Sequence, residues 1–240
     1  KEFESGFTSD CDSNLLIASL LYKANTYYIN NQYNQAEQLC YQALDIYDPS
    51  WGNPRRKKGI YSLLGSIKLL QEEFEEALVL YYKSLEGLDQ KDDLNNSHTS
   101  YFNIAIANYY LDNQDSVEVY VNRSLAGAKQ ANDIVTQTRV YNFMAALSED
   151  NKTKLAYVDS SIYLARTNGL IADLIDFLEN KTTALEEAGR YQEAYNILWD
   201  AKFYKDTIYN QQTSTALALN VKYASAQKDL ECNQGLCYIF

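Results

Sequence analysis

Apolar positions recur at helical spacing from about residue 15 onward, and the runs come in pairs. Leu16, Leu20, Ala24 and Tyr27, spaced four, four and three apart, line one face of a helix. Asn31, a residue type that tolerates the left-handed conformation, then marks a turn. Tyr33, Ala36, Cys40, Ala43 and Leu44 line a second helix, which Asp48-Pro49 ends. The same pair returns with Leu64, Gly65, Phe74, Ala77, Tyr81, Ser84 and Leu85, and again with Ile104, Ala105, Val117, Val121, Ser124 and Leu125. A last copy carries Thr182, Gly189 in its turn, Tyr191, Ala194, Leu198 and Ala201.

One small residue recurs in each first helix: Ala24, Gly65, Ala105, Ala145 and Thr182, at steps of 41, 40, 40 and 37 residues. Another follows nineteen residues later at Ala43, Ser84, Ser124 and Ala201, whereas Ser161 comes only sixteen after Ala145. Small side chains at a crossing let two helices approach to about 8–10 Å. The pattern therefore predicts an all-α fold, an α-solenoid superhelix of about five helical hairpins. Each hairpin would bury its apolar face against its neighbours. The fourth copy lacks three residues near Ser148–Thr153. Drift and a groove reshaped for a ligand would both produce that gap.

Lys202 to Glu231 contains no Pro or Gly and predicts one long helix. Its Ala216, Leu217, Leu219, Val221, Tyr223 and Ala226 form a band wider than a coiled-coil seam. The expected organisation is a lead-in over 1–13, a repeat region over 14–204, a capping or exit helix over 205–231 and a tail over 232–240. Asp12-Ser13-Asn14 offers N-cap oxygens for the first helix.

Composition narrows the function. A net charge of −11 counts against nucleic acid, whose phosphates call for clustered Lys and Arg, and against an anionic membrane surface. No run of about 18 apolar residues appears, so no membrane span is expected within the chain. Without an initiator Met or a signal peptide, the chain reads as a mature or trimmed one. The 22 tyrosines are expected to fill space between helices with their hydroxyls at the rim. Cys11, Cys40, Cys232 and Cys237 match no zinc or redox spacing; Cys40 reads as buried, and Cys232 and Cys237 could pair in an oxidising compartment. His98 is the only histidine and is expected at an exposed helix start, so a multi-histidine metal site or a Ser-His-Asp triad elsewhere is excluded. No Gly-rich phosphate loop and no nucleophile–base pair is legible. No enzymatic activity, metal or cofactor is expected.

Gly65, Phe74, Ala77, Tyr81 and Ser84, like Ala24, Tyr33, Ala36 and Ala43, resemble the tetratricopeptide repeat, over about residues 14–204. The Trp usual near the start of the first helix is absent, and the pitch exceeds the usual ~34 residues. The resemblance implies a module that binds a protein or peptide. Tyr204-Lys205-Asp206-Thr207-Ile208, followed by Leu219, Lys222-Tyr223 and Lys228, is similar to the exit helix of regulators common in Bacteroidetes. In those proteins a repeat array outside the cytoplasmic membrane leads through a helix and a membrane span to a kinase or DNA-binding output. This second likeness implies an extracytoplasmic, periplasmic sensor region of a membrane-anchored signalling or transcription regulator. It would lie next to a membrane span, with a homodimer through the C-terminal helix allowed. The alternative is a soluble, cytoplasmic scaffold or peptide-pheromone receptor, similar to tetratricopeptide receptors of Gram-positive bacteria.

In such arrays the ligand groove is lined by first-helix positions that point away from the second helix. Carried over by register, these are Leu21, Asn25 and Tyr28, then Ser62, Ser66 and Leu69. Phe102, Ile106 and Tyr109 follow, and then Arg139 and Asn142. Tyr28, Phe102, Ile106 and Tyr109 would make an apolar, aromatic patch for a peptide or partner helix, or would pack on the next hairpin. The clamp for chaperone tails is incomplete, because Leu21 stands where a Lys is expected. Arg55-Arg56-Lys57-Lys58 sits at a helix start, where the dipole disfavours cations; it would suit an anionic group or end solvated. Glu72-Glu73 and Glu75-Glu76 read as solvated surface.

Overall fold

The computed structural model describes residues 10–50, 52–86 and 97–236, and its helices pair off along the chain. They are α1 (Asp10–Ile29) with α2 (Tyr33–Ile46), α3 (Pro54–Leu70) with α4 (Phe74–Leu85), and α5 (His98–Tyr110) with α6 (Gln114–Gln130). After these come α7 (Ile134–Leu147) with α8 (Asn151–Thr167) and α9 (Ile171–Glu187) with α10 (Tyr191–Leu236). No strand occurs among the described residues. The chain divides into two compact units, one up to Val140 and one from Tyr141. That boundary falls inside α7, within the span read from sequence as a single array. The lead-in before Asp10, the side chains of Cys11, Cys232 and the 216–226 apolar band, and the tail with Cys237 lie outside the described residues.

All ten small positions are interior. Ala24, Ala43, Ala105, Ser124 and Ser161 are completely buried, and Gly65, Ser84, Ala145, Thr182 and Ala201 are buried too. Each lets a first helix touch its second helix closely enough for larger neighbours to interlock. In the first unit, Ile17, Ala24, Cys40, Ala43, Ile60 and Leu64 form one such interior between hairpins one and two. In the second unit, Ala145, Val158, Ile162, Leu174, Phe177 and Ala201 form another. Burying a side chain such as Ile17 or Leu174 stabilises by ~1.5–3 kcal/mol, so these interiors carry the fold.

Four hairpin turns share one device. Asn31, Glu72, Asp112 and Gly189 adopt positive φ, at 59°, 63°, 58° and 72°. At each, paired backbone bonds close the helix end, as in Glu72 N–H to Leu69 C=O and Glu73 N–H to Lys68 C=O. Asn31 and Gly189 suit that conformation by chemistry, while Glu72 does not. The turn between α7 and α8 is different: Asp150 caps α8, accepting from the Thr153 backbone N–H at 2.8 Å and its hydroxyl at 2.7 Å.

Two boundaries differ from the sequence reading. Helix α1 starts at Asp10, so Asn14 is inside it rather than at its cap; the Asn14 amide oxygen accepts from the Asn53 backbone N–H at 3.4 Å instead. The second helix of hairpin five and the long C-terminal helix are one 46-residue element, because nothing between Ala201 and Lys205 breaks the backbone.

Gly65 shows how tight the crossing is. A Cβ there would meet the Tyr81 ring at 2.9 Å, and Tyr81 is fully buried with its hydroxyl held by Ser66 at 3.1 Å. Ala is favoured over Gly in a helix by ~1 kcal/mol, but overpacking a core costs ~1–3 kcal/mol. Gly65→Ala is therefore expected to lower unfolding stability by about 1–2 kcal/mol in urea melts. Adding Tyr81→Leu to Gly65→Ala should cost less than the sum of the two single changes.

Candidate functional site

In the first unit, α1, α3 and α5 lie side by side. Their adjoining surfaces carry a connected row of uncharged polar groups. The Tyr81 hydroxyl donates to Ser66 Oγ, which donates to the Ser62 carbonyl at 2.9 Å. The Ser62 and Ser100 hydroxyls are 3.2 Å apart. Tyr28 also bonds Ser66, and Tyr81 bonds Asn103. Burial pushes the Tyr28 phenol above its ordinary value, nearby Tyr33 adds to this, and Arg139 and Ser66 oppose it. Burial likewise raises Tyr81. Both phenols stay neutral and serve as hydrogen-bonding groups.

The groove positions taken from register scatter in their exposure. Asn25 and Arg139 are exposed, and Tyr109 is 40% exposed with its ring edge-on to Tyr110. Tyr28, Ser62, Ser66 and Ile106 are half-buried, as are Leu21 and Leu69. Phe102 is buried, so it belongs to the hairpin interior and not to the aromatic patch expected of it. Asn142 lies in the second unit, half-buried.

There Asn142 lines a hollow of about 260 Å³ between α7, α8 and α9. Buried Ala145, Val158 and Ala184 form its apolar floor, and exposed Ala146 borders it. Asn180 Nδ2 donates to Asn142 Oδ1 at 3.0 Å, and at the rim Lys154 Nζ donates to Glu187 Oε2 at 2.6 Å. Register alone points to Asn142, and nothing in it points to Asn180, Lys154 or Glu187. The available signal was the three-residue gap in the fourth copy.

The charged candidates are engaged within the fold. Asn53 caps α3 through the Arg55 N–H at 2.9 Å; Lys58 donates to Ser97 at 3.0 Å, and Lys57 sits 3.7 Å from Glu86 and over the Tyr61 ring. Of the basic cluster, Lys58 thus ties hairpin two to the start of α5, Lys57 stays within hairpin two, and Arg55 and Arg56 are exposed. Glu72, Glu75 and Glu76 are exposed, as expected, and Glu73 is half-buried. Glu73 and Glu76 also flank Lys68 at 2.8 and 3.5 Å, with Glu37 of α2 at 3.4 Å. The hydrogen bond to Glu73 raises the Lys68 ammonium against the cost of burial.

His98 does start α5, but it is buried, not exposed. Its Nε2 is 2.8 Å from Asp133 Oδ2, and its carbonyl accepts from the Ser124 hydroxyl at 2.8 Å. Burial alone would raise the Asp133 carboxyl. Bonds from the Thr136 hydroxyl and backbone and from His98 outweigh that and hold it below its ordinary value. Cys40 is completely buried, and burial, reinforced by Glu37, pushes its thiol up to about 12. It is a packing group and not a nucleophile. Among the described residues, no group of three His, Cys, Asp or Glu could hold a metal ion, and no helix is long and apolar enough to cross a membrane.

No protein-family model matches the sequence, and no curated protein matches it. Solved structures do match the fold. BtubC from P. vanneervenii is 19% identical, with 82% of each chain covered and a TM-score of 0.70. Aspartyl phosphate phosphatase F from Bacillus subtilis is 16% identical over 80% of this chain and 50% of that one, with a TM-score of 0.61. The nearly identical TPR-like repeats of a Podosopora anserina kinesin light chain are 13% identical over 80% of this chain and 96% of theirs, at a TM-score of 0.57. The chain has the fold of tetratricopeptide-like helical hairpins.

Two outcomes follow from the buried groups. In native protein at pH 8, iodoacetamide should leave Cys40 unmodified, and peptide mass mapping should find it alkylated only after denaturation. Asp133→Asn should destabilise by ~1–3 kcal/mol at pH 7. Because the folded carboxyl is held low, that deficit should persist above the unfolded value of about 4 and fade as pH falls below it, read by denaturant melts across pH.

Proposed function

We propose that the chain is a non-catalytic module that holds a protein or peptide segment against the first helices of its hairpins. The observation that supports this reading most is the row formed by Tyr28, Ser62, Ser66, Tyr81, Ser100 and Asn103. Its donors and acceptors are uncharged and fixed by one another; Tyr28, Ser62, Ser66 and Asn103 are half-buried, over buried Tyr81 and Ser100. Such groups suit the alternating N–H and C=O of an extended backbone. Exposed Asn25 and Tyr109 flank the row and would add an amide and an aromatic contact.

The module would serve as the sensor or interaction region of a bacterial signalling or transcription regulator, on the extracytoplasmic side of a membrane. That finer reading rests on the likeness of the segment from Tyr204 to Lys228 to an exit helix. It is supported by the continuity of α10, which leaves hairpin five without a break. A displacement of α9 by ligand would be passed along that helix, and the same helix offers a surface through which two copies could pair.

The test is selection of random-sequence peptides on phage against the folded chain, with affinities measured by fluorescence anisotropy. Peptides of micromolar affinity are expected. Replacing Asn25 and Tyr109 together with Ala should weaken them at least about tenfold, or ~1.4 kcal/mol, with helix content unchanged. Failure to select any peptide, or selected peptides indifferent to both substitutions, would count against the reading.

A further inference from the structure

In four hairpins the first helix runs five residues past its small position, as from Ala24 to Ile29, Gly65 to Leu70, Ala105 to Tyr110 and Thr182 to Glu187. In the fourth, α7 stops two residues after Ala145, at Leu147. Nearly one helical turn is missing. The neighbouring α9 keeps its last turn, so Thr183, Ala184 and Glu187 border open space where the end of α7 would otherwise lie. The second helix changes with it. Where the other hairpins bury Ala36, Ala77, Val117 and Ala194, the fourth has Lys154, whose ammonium reaches the rim and pairs with Glu187. The hollow is thus bordered by the shortened hairpin.

Its chemistry is selective. The Asn180–Asn142 bond uses one donor and one acceptor, leaving the other amide N–H₂ and the other amide carbonyl for further bonds. That remainder is the same if both amides are turned together. It complements a peptide unit, which offers one C=O and one N–H. The side chains of Ala145, Val158 and Ala184 in the floor are apolar. Lys154 and Glu187 neutralise each other, so the rim attracts neither sign of charge. About 260 Å³ falls just short of the ~300 Å³ at which pockets for whole small molecules begin. One side chain is the right size.

We propose that the shortened fourth hairpin is a specificity pocket for a single uncharged aliphatic residue of an extended peptide, with Asn142 and Asn180 pairing the backbone amide of that residue. This rests on the peptide-binding reading and adds which residue is selected and where.

The test is NMR of the side-chain amides of the full chain, titrated with N-acetyl-leucine N′-methylamide and, separately, with the corresponding glycine and glutamate compounds. The leucine probe should shift the Asn142 and Asn180 amides saturably, with the glycine probe at least about tenfold weaker and the glutamate probe without saturation. Ala146→Phe, from an exposed position on α7, should fill the hollow and abolish the leucine response. Thr183→Phe fills it from α9 and decides the matter if the first variant loses helix content. Unshifted asparagine amides with the leucine probe, or equal responses to all three probes, overturn the pocket. Peptides selected on phage that bind Ala146→Phe as well as the native chain overturn it too, while leaving the broader peptide-binding reading intact. If the pocket responds to leucine but no peptide is ever selected, the broader reading is the one that fails.

Discussion

The close approach of paired helices at small residues is the constraint on which the rest of the structure depends. It acts through volume. Gly65 faces Tyr81, the largest of the buried second-helix residues, while Ala24, Ala105 and Ala145 stand at the same register place opposite Cys40, Val121 and Val158. The smallest residue is paired with the bulkiest, so helix separation is kept by trading atoms across the interface. In hairpin five the equivalent Leu198 is 48% exposed. There the second helix has no following first helix to cover it among the described residues.

Once the helices are held this way, the polar groups have few choices. Tyr81 is too deep to reach water, so its hydroxyl must find Ser66, and Ser66 is thereby oriented toward the Ser62 carbonyl. A packing requirement thus produces the ordered polar row proposed to meet a ligand. The same logic explains Lys68, whose position between two hairpins is tolerated because three carboxylates surround it.

The small positions were legible in the sequence because a crossing needs the same side-chain size at the same place in every copy. Turns were legible where the residue itself carries the preference, as at Asn31 and Gly189, and opaque at Glu72, where tertiary contacts impose the geometry. Burial of His98 could not be read, since its partner Asp133 is 35 residues away and nothing local announces it. The apolar pattern changes after Ala201, but the backbone does not, and the last hairpin helix runs straight on into the long C-terminal one. At the candidate site, Asn142 followed from register alone. Asn180 and Lys154 acquire their role only through a gap in a neighbouring helix, and a register carried over position by position does not contain gaps.

Glu72 carries a consequence for how neighbouring hairpins are coupled. A glutamate in the left-handed region is disfavoured by ~1–2 kcal/mol, so the segment from Gln71 to Glu73 has little reason to turn by itself. The turn is held by backbone bonds from Glu72 and Glu73 and by Lys68, which pairs with Glu73 and also reaches back to Glu37 on α2. The reach of Lys68 to Glu37 therefore couples the turn of the second hairpin to its neighbour, so the strained loop is steadied by contacts from both hairpins.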